Sequence, residues 1–147
     1  MLAATQFTTL EQALKHYFGY DEFRAGQREI ITTALANRDL LVIMPTGGGK
    51  SLCFQLPALL KQGVTIVVSP LIALMQDQVQ QLADNGISAT FLNSSITTEE
   101  RRERATAIYN GEIKLLYVAP ERLNQEFISN FFGRFTSRSR DCRICDR

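Results

Sequence analysis

The chain lacks most of the features that settle a protein's class by excess. No apolar run approaches the roughly 20 residues of a membrane span, and the amino-terminal MLAATQFTTLEQ has neither the basic nor the apolar region of a signal peptide. A soluble, cytoplasmic protein is the expectation. Neither sign of charge dominates: the formal net charge is +1, so any affinity for nucleic acid has to come from locally placed groups rather than a whole-chain field. Cysteine is scarce and odd in number, three in 147 residues, which argues against a disulfide framework. Cys53 falls in a predicted helix and reads as a small buried apolar residue. With His16 the sole histidine, four zinc ligands cannot be assembled around Cys142-x-x-Cys145. A thioredoxin-like pair would sit at a strand-to-helix turn rather than in an arginine-rich tail, so that spacing reads as accidental.

What is present suits one modest globular domain, 45% hydrophobic and able to bury a core. Thr9 and Gln12 have capping-box spacing before a helix whose inward face is Leu10, Ala13, Leu14, Tyr17 and Phe18, and Gly19 ends it. A second helix is expected over 27–36 with Ile30, Ile31, Ala34 and Leu35 inward, and NRD then turns the chain into an apolar strand at 40–44. VTIVVS, ISATFL and IKLLYVA read as further strands. The helix between the first two spans about 71–84, with Leu71, Leu74, Met75 and Leu82 on one side, and Asn85-Gly86 stops it. Thr97 and Glu100 open another helix by capping-box spacing; its EERRER cluster reads as a solvated face with a Glu100–Arg104 pair, and Asn110-Gly111 closes it. Strands alternating with helices indicate a parallel sheet covered on both faces.

After Leu123 the pattern changes. NQEFISNFF has the makings of one more helix, but GRFTSRSRDCRICDR carries five arginines without apolar periodicity and reads as a disordered tail. The expected division is therefore 1–127 and 128–147.

Met44 to Ser51, MPTGGGKS, ends in the G-K-[ST] of a phosphate-binding loop and sits between a predicted strand and a predicted helix. Backbone N–H groups of Gly47, Gly48, Gly49 and Lys50 would wrap an anionic phosphate at a helix amino terminus, an approach that bulky side chains would prevent. Lys50 would act on the β and γ phosphates as a point charge, and the Ser51 hydroxyl would reach Mg²⁺. The full G-x-x-x-x-G-K-[ST] pattern is not met, because Met44 stands where its first glycine would be. The nucleotide reading thus rests on context as well as spacing.

Five blocks, YDEFRAGQREII, MPTGGGKSLCFQ, VVSPLIALMQDQV, FLNSS and YVAPERL, occur in the order and spacing of the RecQ family of DNA helicases, within the second helicase superfamily. The chain resembles that family from about residue 7 to residue 127, and the family's own loop reads M-P-T-G-G-G-K-S. The resemblance implies an α/β, RecA-like P-loop NTPase domain, incomplete at its carboxyl end, that uses ATP and Mg²⁺ to unwind DNA in the 3′-to-5′ direction. It assigns the nucleotide to Tyr20, Arg24, Gln27, Thr46, Gly47, Gly48, Gly49, Lys50 and Ser51. Gln27 would pair with the adenine edge as an amide can and a carboxylate cannot, Tyr20 and Arg24 would stack on the base, and Phe23 would pack.

The same resemblance assigns phosphates of single-stranded DNA to Ser69, Pro70, Asn93 and Arg122, which follow the carboxyl ends of predicted strands, where ligands sit on open α/β sheets. Contacts to backbone make such binding sequence-tolerant and salt-sensitive. Partly duplex DNA, and with it the nucleoid, is the implied partner.

RecQ-like helicases carry their magnesium-holding acids in an apolar strand that ends D-E-A-H, downstream of PERL. Here SRDCRICDR occupies that neighbourhood, and Asp141 and Asp146 follow no apolar run that would fix a carboxylate beside the loop. The expectation is a chain that grips ATP without hydrolysing it. The alternative is a non-catalytic ATP- or single-stranded-DNA-binding module; a small P-loop kinase fits neither YDEFRAGQ nor APERL. In the implied fold the 40–44 strand is interior to its sheet, with neighbours that lie beyond residue 147, so unpaired edges and marginal folding are expected.

Overall fold

The computed structural model describes residues 7–123 and, for the tail, the backbone of residues 143–146. They belong to two compact units, Met1–Gln62 and Gly63–Arg147. The first is helical. Helix α1 (Leu10–Phe18) starts at Thr9, whose hydroxyl accepts from the Gln12 N–H, and ends at Gly19 in left-handed backbone, φ 75°. The reciprocal half of the expected capping box falls one residue early, because the Gln12 carboxamide accepts from the Thr8 N–H at 2.9 Å. Helix α2 (Gln27–Leu35) and helix α3 (Lys50–Leu60) complete the unit. Their shared core is Ala13, Leu14, Ile31, Leu52 and Leu56, with Phe23, Leu35 and Tyr17 packed against it. The helical periodicity of the sequence therefore identified the inward faces of α1 and α2, and Phe23 packs as expected.

The expected strand at 40–44 is not formed. These residues carry no ladder bonds, and Leu41 and Ile43 are 91% and 90% exposed. The physical reason is that a strand exists only through pairing with a neighbour. A short apolar run has strand propensity, but propensity alone fixes no hydrogen bonds.

The second unit is a parallel sheet of strands β1 (Thr65–Val68), β2 (Ala89–Leu92), β3 (Leu115–Val118) and β4 (Arg143–Asp146) in the order β2-β3-β1-β4. β1 and β3 lie inside the sheet and are buried at every position, which explains the continuous apolar runs TIVV and LLYV; β2 lies at an edge and alternates. Helix α4 (Ile72–Asp84) connects β1 to β2, and helix α5 (Thr98–Tyr109) connects β2 to β3. Ile66, Val68, Leu116, Val118 and Ile108 form one core cluster with Leu92 and Ile96. The expected α/β class is the one found.

Two departures in this unit are instructive. Residues 143–146 belong to the segment read as a disordered tail, yet their backbone pairs in parallel with β1, Asp146 opposite Val68. The edge of β1 offers a row of backbone donors and acceptors, and such an edge recruits extended chain with little regard for sequence. Asp146 accordingly ends a strand, although an edge strand of the described sheet rather than the apolar central one expected for a catalytic carboxylate. The rest of the tail, Asp141, Cys142 and the expected helix after residue 123 included, lies outside the described residues. The second departure is Arg104, expected on a solvated face. Its guanidinium lies 4.1 Å from the centre of the Phe91 ring and donates to the Phe91 carbonyl at 2.8 Å, while keeping the expected pair with Glu100 at 3.8 Å. It fastens α5 to β2 through its stem and its charge.

Among the described residues no helix is long and apolar enough to cross a membrane. At the start of α5, Thr97 and Glu100 form the complete capping box expected from their spacing. Replacing Thr97 by Ala should lower unfolding free energy by about 1 kcal/mol, the usual cost of losing such a cap, measured by urea titration. Hydrogen bonds from the Thr97 backbone and then its side chain hold the Glu100 carboxyl below its ordinary pKa of 4.5. A depressed carboxyl contributes stability above its unfolded pKa and loses it as pH falls through the folded value. Glu100→Gln should therefore flatten the acid limb of the stability profile below about pH 4.5 and leave the neutral region's slope unchanged.

Candidate functional site

The glycine loop precedes α3 directly, with Gly49 as the helix N-cap. Gly47 and Gly49 both have left-handed backbone, φ 79° and 81°, a region that glycine enters without the penalty of a Cβ. Space is limiting as well as dihedral. A Cβ on Gly48 would stand 3.0 Å from the Pro45 carbonyl oxygen, and one on Gly49 would stand 2.3 Å from Gln27 Nε2. The three glycines are thus required by two different constraints, conformation at Gly47 and Gly49 and close approach at Gly48 and Gly49.

Lys50 opens α3, and its Nζ donates to the Met44 carbonyl at 2.9 Å and the Pro45 carbonyl at 3.0 Å. An ammonium has three N–H groups, so one remains beyond these two bonds. The Gly48 N–H donates to the Pro45 carbonyl at 3.0 Å, so this one of the four expected phosphate-binding amides closes the turn instead. Cys53 is buried one turn into α3; its thiol lies 3.8 Å from the Gly49 carbonyl, and burial pushes its pKa up. It is the inert, packed cysteine that its place in the sequence suggested.

The residues expected at the base divide in behaviour. Tyr20 is 58% exposed, as a stacking platform needs to be. Arg24 directs its guanidinium to the Gly47 carbonyl, Nη1 to O 2.6 Å. Gln27 is only 2% exposed; its Nε2 donates to the Gly49 carbonyl at 3.1 Å and its Oε1 accepts from the Arg24 N–H at 2.9 Å. An amide has two donors and two acceptor lone pairs, so these two bonds use one of each. The structure therefore joins Arg24, Gln27, Gly47 and Gly49 into one hydrogen-bonded group. Thr46 is an exposed turn residue before it. The bonds from Arg24 and Gln27 to the loop carbonyls were not anticipated from sequence, because nothing in the spacing of two residues at the approach to α2 announces a contact 22 or 23 positions later.

A phosphate group suits this loop. The helix N-terminus adds partial positive charge, and Lys50 supplies a full one. Magnesium is served less completely. Ser51 offers one hydroxyl, and among the described residues no group of three or more His, Cys, Asp or Glu could hold a metal ion. Magnesium commonly keeps waters and nucleotide phosphates as most of its ligands, so Ser51 fits as a single protein ligand to a nucleotide-borne ion.

In the second unit the candidate DNA contacts follow three neighbouring strands at their carboxyl ends: Ser69 after β1, Asn93 after β2 and Arg122 in the 3₁₀ turn Pro120–Arg122 after β3. Ladder bonds run on past the strands, Ser69 N–H to the Val118 carbonyl and Ala119 N–H to the Leu92 carbonyl, both 3.1 Å. Pro70 is exposed and Arg122 half-buried. Ser69 and Asn93 are buried. Ser69 Oγ accepts from the Leu71 N–H at 3.4 Å, and Asn93 Oδ1 accepts from both the N–H and the hydroxyl of Ser95 at 2.9 and 2.7 Å. The Asn93 Nδ2 donor has no partner among the described residues, and an unmet buried donor costs about 1–3 kcal/mol.

A glycine loop at a helix N-terminus in one unit and a parallel sheet with connecting helices in the other define a P-loop α/β protein. Comparison with known families is more specific: residues 24–143 match the DEAD/DEAH box helicase model, and the chain belongs to that family. It is 50% identical over 136 residues to the ATP-dependent DNA helicase RecQ of Haemophilus influenzae, covering 92% of this chain and 21% of that protein. Against the RecQ helicase of Synechocystis it is 51% identical over 122 residues, 83% of this chain and 26% of the relative. Against that of Bacillus subtilis it is 50% identical over 120 residues, with coverage of 80% and 20%. The chain thus spans about a fifth to a quarter of the length of these relatives. A crystal structure of the DUF1998 helicase MrfA bound to DNA superposes with a TM-score of 0.68 at 20% identity, over 84% of this chain and 18% of that one, a likeness of fold.

Gly49 gives the sharpest test of the loop's construction. Gly49→Ala has to leave left-handed backbone or displace the Gln27 amide, and should cost about 1–3 kcal/mol, the usual range for such strain. A thermal unfolding midpoint equal to that of the parent chain would contradict the loop geometry described.

Proposed function

We propose that the chain is the nucleotide-gripping part of a RecQ-type, ATP-dependent, 3′-to-5′ DNA helicase, and that by itself it binds ATP without hydrolysing it. The observation that carries this reading is the glycine loop with Lys50 at the head of α3, in a sequence about half identical to RecQ helicases over most of its length. Lys50 holds the β and γ phosphates by charge, the helix N-terminus adds its dipole, and Ser51 supplies one oxygen to Mg²⁺. Tyr20 and Arg24 flank the base and Gln27 reads its edge with the donor and acceptor left to it. Bound ATP and Mg²⁺ would supply the phosphoryl group and the charge neutralisation that its transfer requires.

Absence of turnover is inferred from the missing D-E-A-H sequence. Phosphoryl transfer to water requires a positioned carboxylate to hold the metal and orient the nucleophile, and a cradle alone does not provide one. Titration of the purified chain with MgATP should show binding, and Lys50→Ala should weaken it about tenfold or more, as loss of a charge-assisted contact predicts. DNA-stimulated phosphate release that disappears in Lys50→Ala would overturn the claim of binding without hydrolysis.

For DNA, we assign the backbone phosphates of a single strand to Ser69, Asn93 and Arg122 at the strand ends of the second unit, with Pro70 shaping the first of these turns. The RecQ relatives are named as DNA helicases, and the structural neighbour was solved bound to DNA. Action on DNA would place the protein in the cytoplasm at the nucleoid. Arg122→Ala should weaken a fluorescent oligonucleotide evenly across sequences and reduce the salt slope by about one, the signature of one lost phosphate contact. A variant that altered sequence preference with an unchanged slope would contradict the assignment.

A further inference from the structure

Two side chains of the first unit hold the phosphate loop by its carbonyls. Arg24 takes that of Gly47 at 2.6 Å and Gln27 that of Gly49 at 3.1 Å, the two loop positions with left-handed backbone. Gln27 is itself anchored, its Oε1 accepting from the Arg24 N–H, and it is 98% removed from solvent by the 2% exposure of the residue. A surface residue that waits for a base edge needs none of this.

The geometry points to Gln27, with Arg24, as a positioning residue for the phosphate loop: it sets the affinity for the phosphate chain itself, in addition to reading the base. This rests on the loop being a phosphate site, as proposed above. The physical link is the planar trans peptide, in which the carbonyl of one residue and the N–H of the next point in opposite directions. By holding the Gly49 carbonyl, Gln27 fixes the plane that carries the Lys50 N–H and turns that donor away from itself. The Lys50 N–H is among the first donors of α3, which have no acceptor within the helix. The Gly47–Gly48 plane is fixed at both ends, by Arg24 on the Gly47 carbonyl and by the Gly48 N–H on the Pro45 carbonyl. A run of three glycines loses more backbone freedom on ordering than any other tripeptide, so a loop released from these bonds has to be ordered by the ligand, at the expense of affinity. The 2.3 Å approach of Gln27 Nε2 to the missing Cβ of Gly49 shows how closely the two are fitted.

The test separates phosphate from base. The purified chain is titrated calorimetrically with MgATP and with magnesium tripolyphosphate, which has no base, in parallel with Gln27→Ala and with Gln27→Met, which keeps the volume but neither hydrogen bond. Tripolyphosphate affinity should fall about tenfold in both variants, the scale of one lost positioning hydrogen bond. The ligand-free amide resonances of Gly48 and Lys50 should shift while that of Leu56 in the core stays in place. If one variant does not fold, the other decides. Tripolyphosphate affinity equal to that of the parent chain, with only MgATP weakened, would overturn the inference and leave Gln27 as a base reader alone. A parent chain that binds neither ligand would instead overturn the phosphate-site reading on which the inference stands.

Discussion

The Gly49 carbonyl is the point on which the first unit's chemistry turns. Gly49 is the N-cap of α3, it takes a left-handed conformation, and its oxygen accepts from Gln27 at the head of α2. One peptide group therefore ties the start of α2 to the start of α3. The packing of the same helices follows the same logic at the other side, where Ile31 of α2 meets Leu52 and Leu56 of α3 in a shared core with Ala13 and Leu14. The polar tie sets where the loop sits and the apolar core keeps the helices that carry it in register. Neither would suffice alone, since a buried amide without partners is costly and an apolar interface alone does not orient a peptide plane.

The second unit depends on a different constraint, that a strand is made by its neighbours. β1 and β3 have partners on both sides and are buried throughout. β2 has one partner and alternates between buried and half-buried. The segment 143–146 becomes a strand because β1 has an edge to give it, although the arginine-rich tail to which it belongs carries no apolar periodicity. The opposite case is 40–44, with a better apolar run than 143–146 and no ladder at all, its Leu41 and Ile43 in solvent. Chemistry at the carboxyl ends of the strands inherits this dependence, since the turns holding Ser69, Asn93 and the Pro120–Arg122 turn are placed by the ladder bonds that continue past them.

Much of the architecture could be read from local signals, because those signals act locally. Thr9 and Thr97 cap the helices that follow them, Gly19 ends α1, and the faces of α1 and α2 are buried where the 3.6-residue period places them. The glycine loop was legible as a turn at the head of a helix, while its left-handed backbone and the close approach of Gln27 to Gly49 were not. Arg104 was misplaced on a solvated face because charge pattern says nothing of an aromatic ring on a neighbouring strand. Its long stem lets one residue satisfy both the i,i+4 pair and a half-buried ring, and only the packing of α5 on β2 decides that it does.

By itself, the sequence determined the class of fold, the place of the loop and the family to which the chain belongs, because caps, turns, periodicities and motif spacings are properties of short stretches. Tertiary structure alone decided that 143–146 pairs as a strand while 40–44 does not, and what Gln27 touches. Pairing partners and hydrogen-bond acceptors come from far along the chain. The 22 positions between Gln27 and Gly49 are closed by the packing of α2 on α3, and no pattern in MPTGGGKS or YDEFRAGQ encodes that contact.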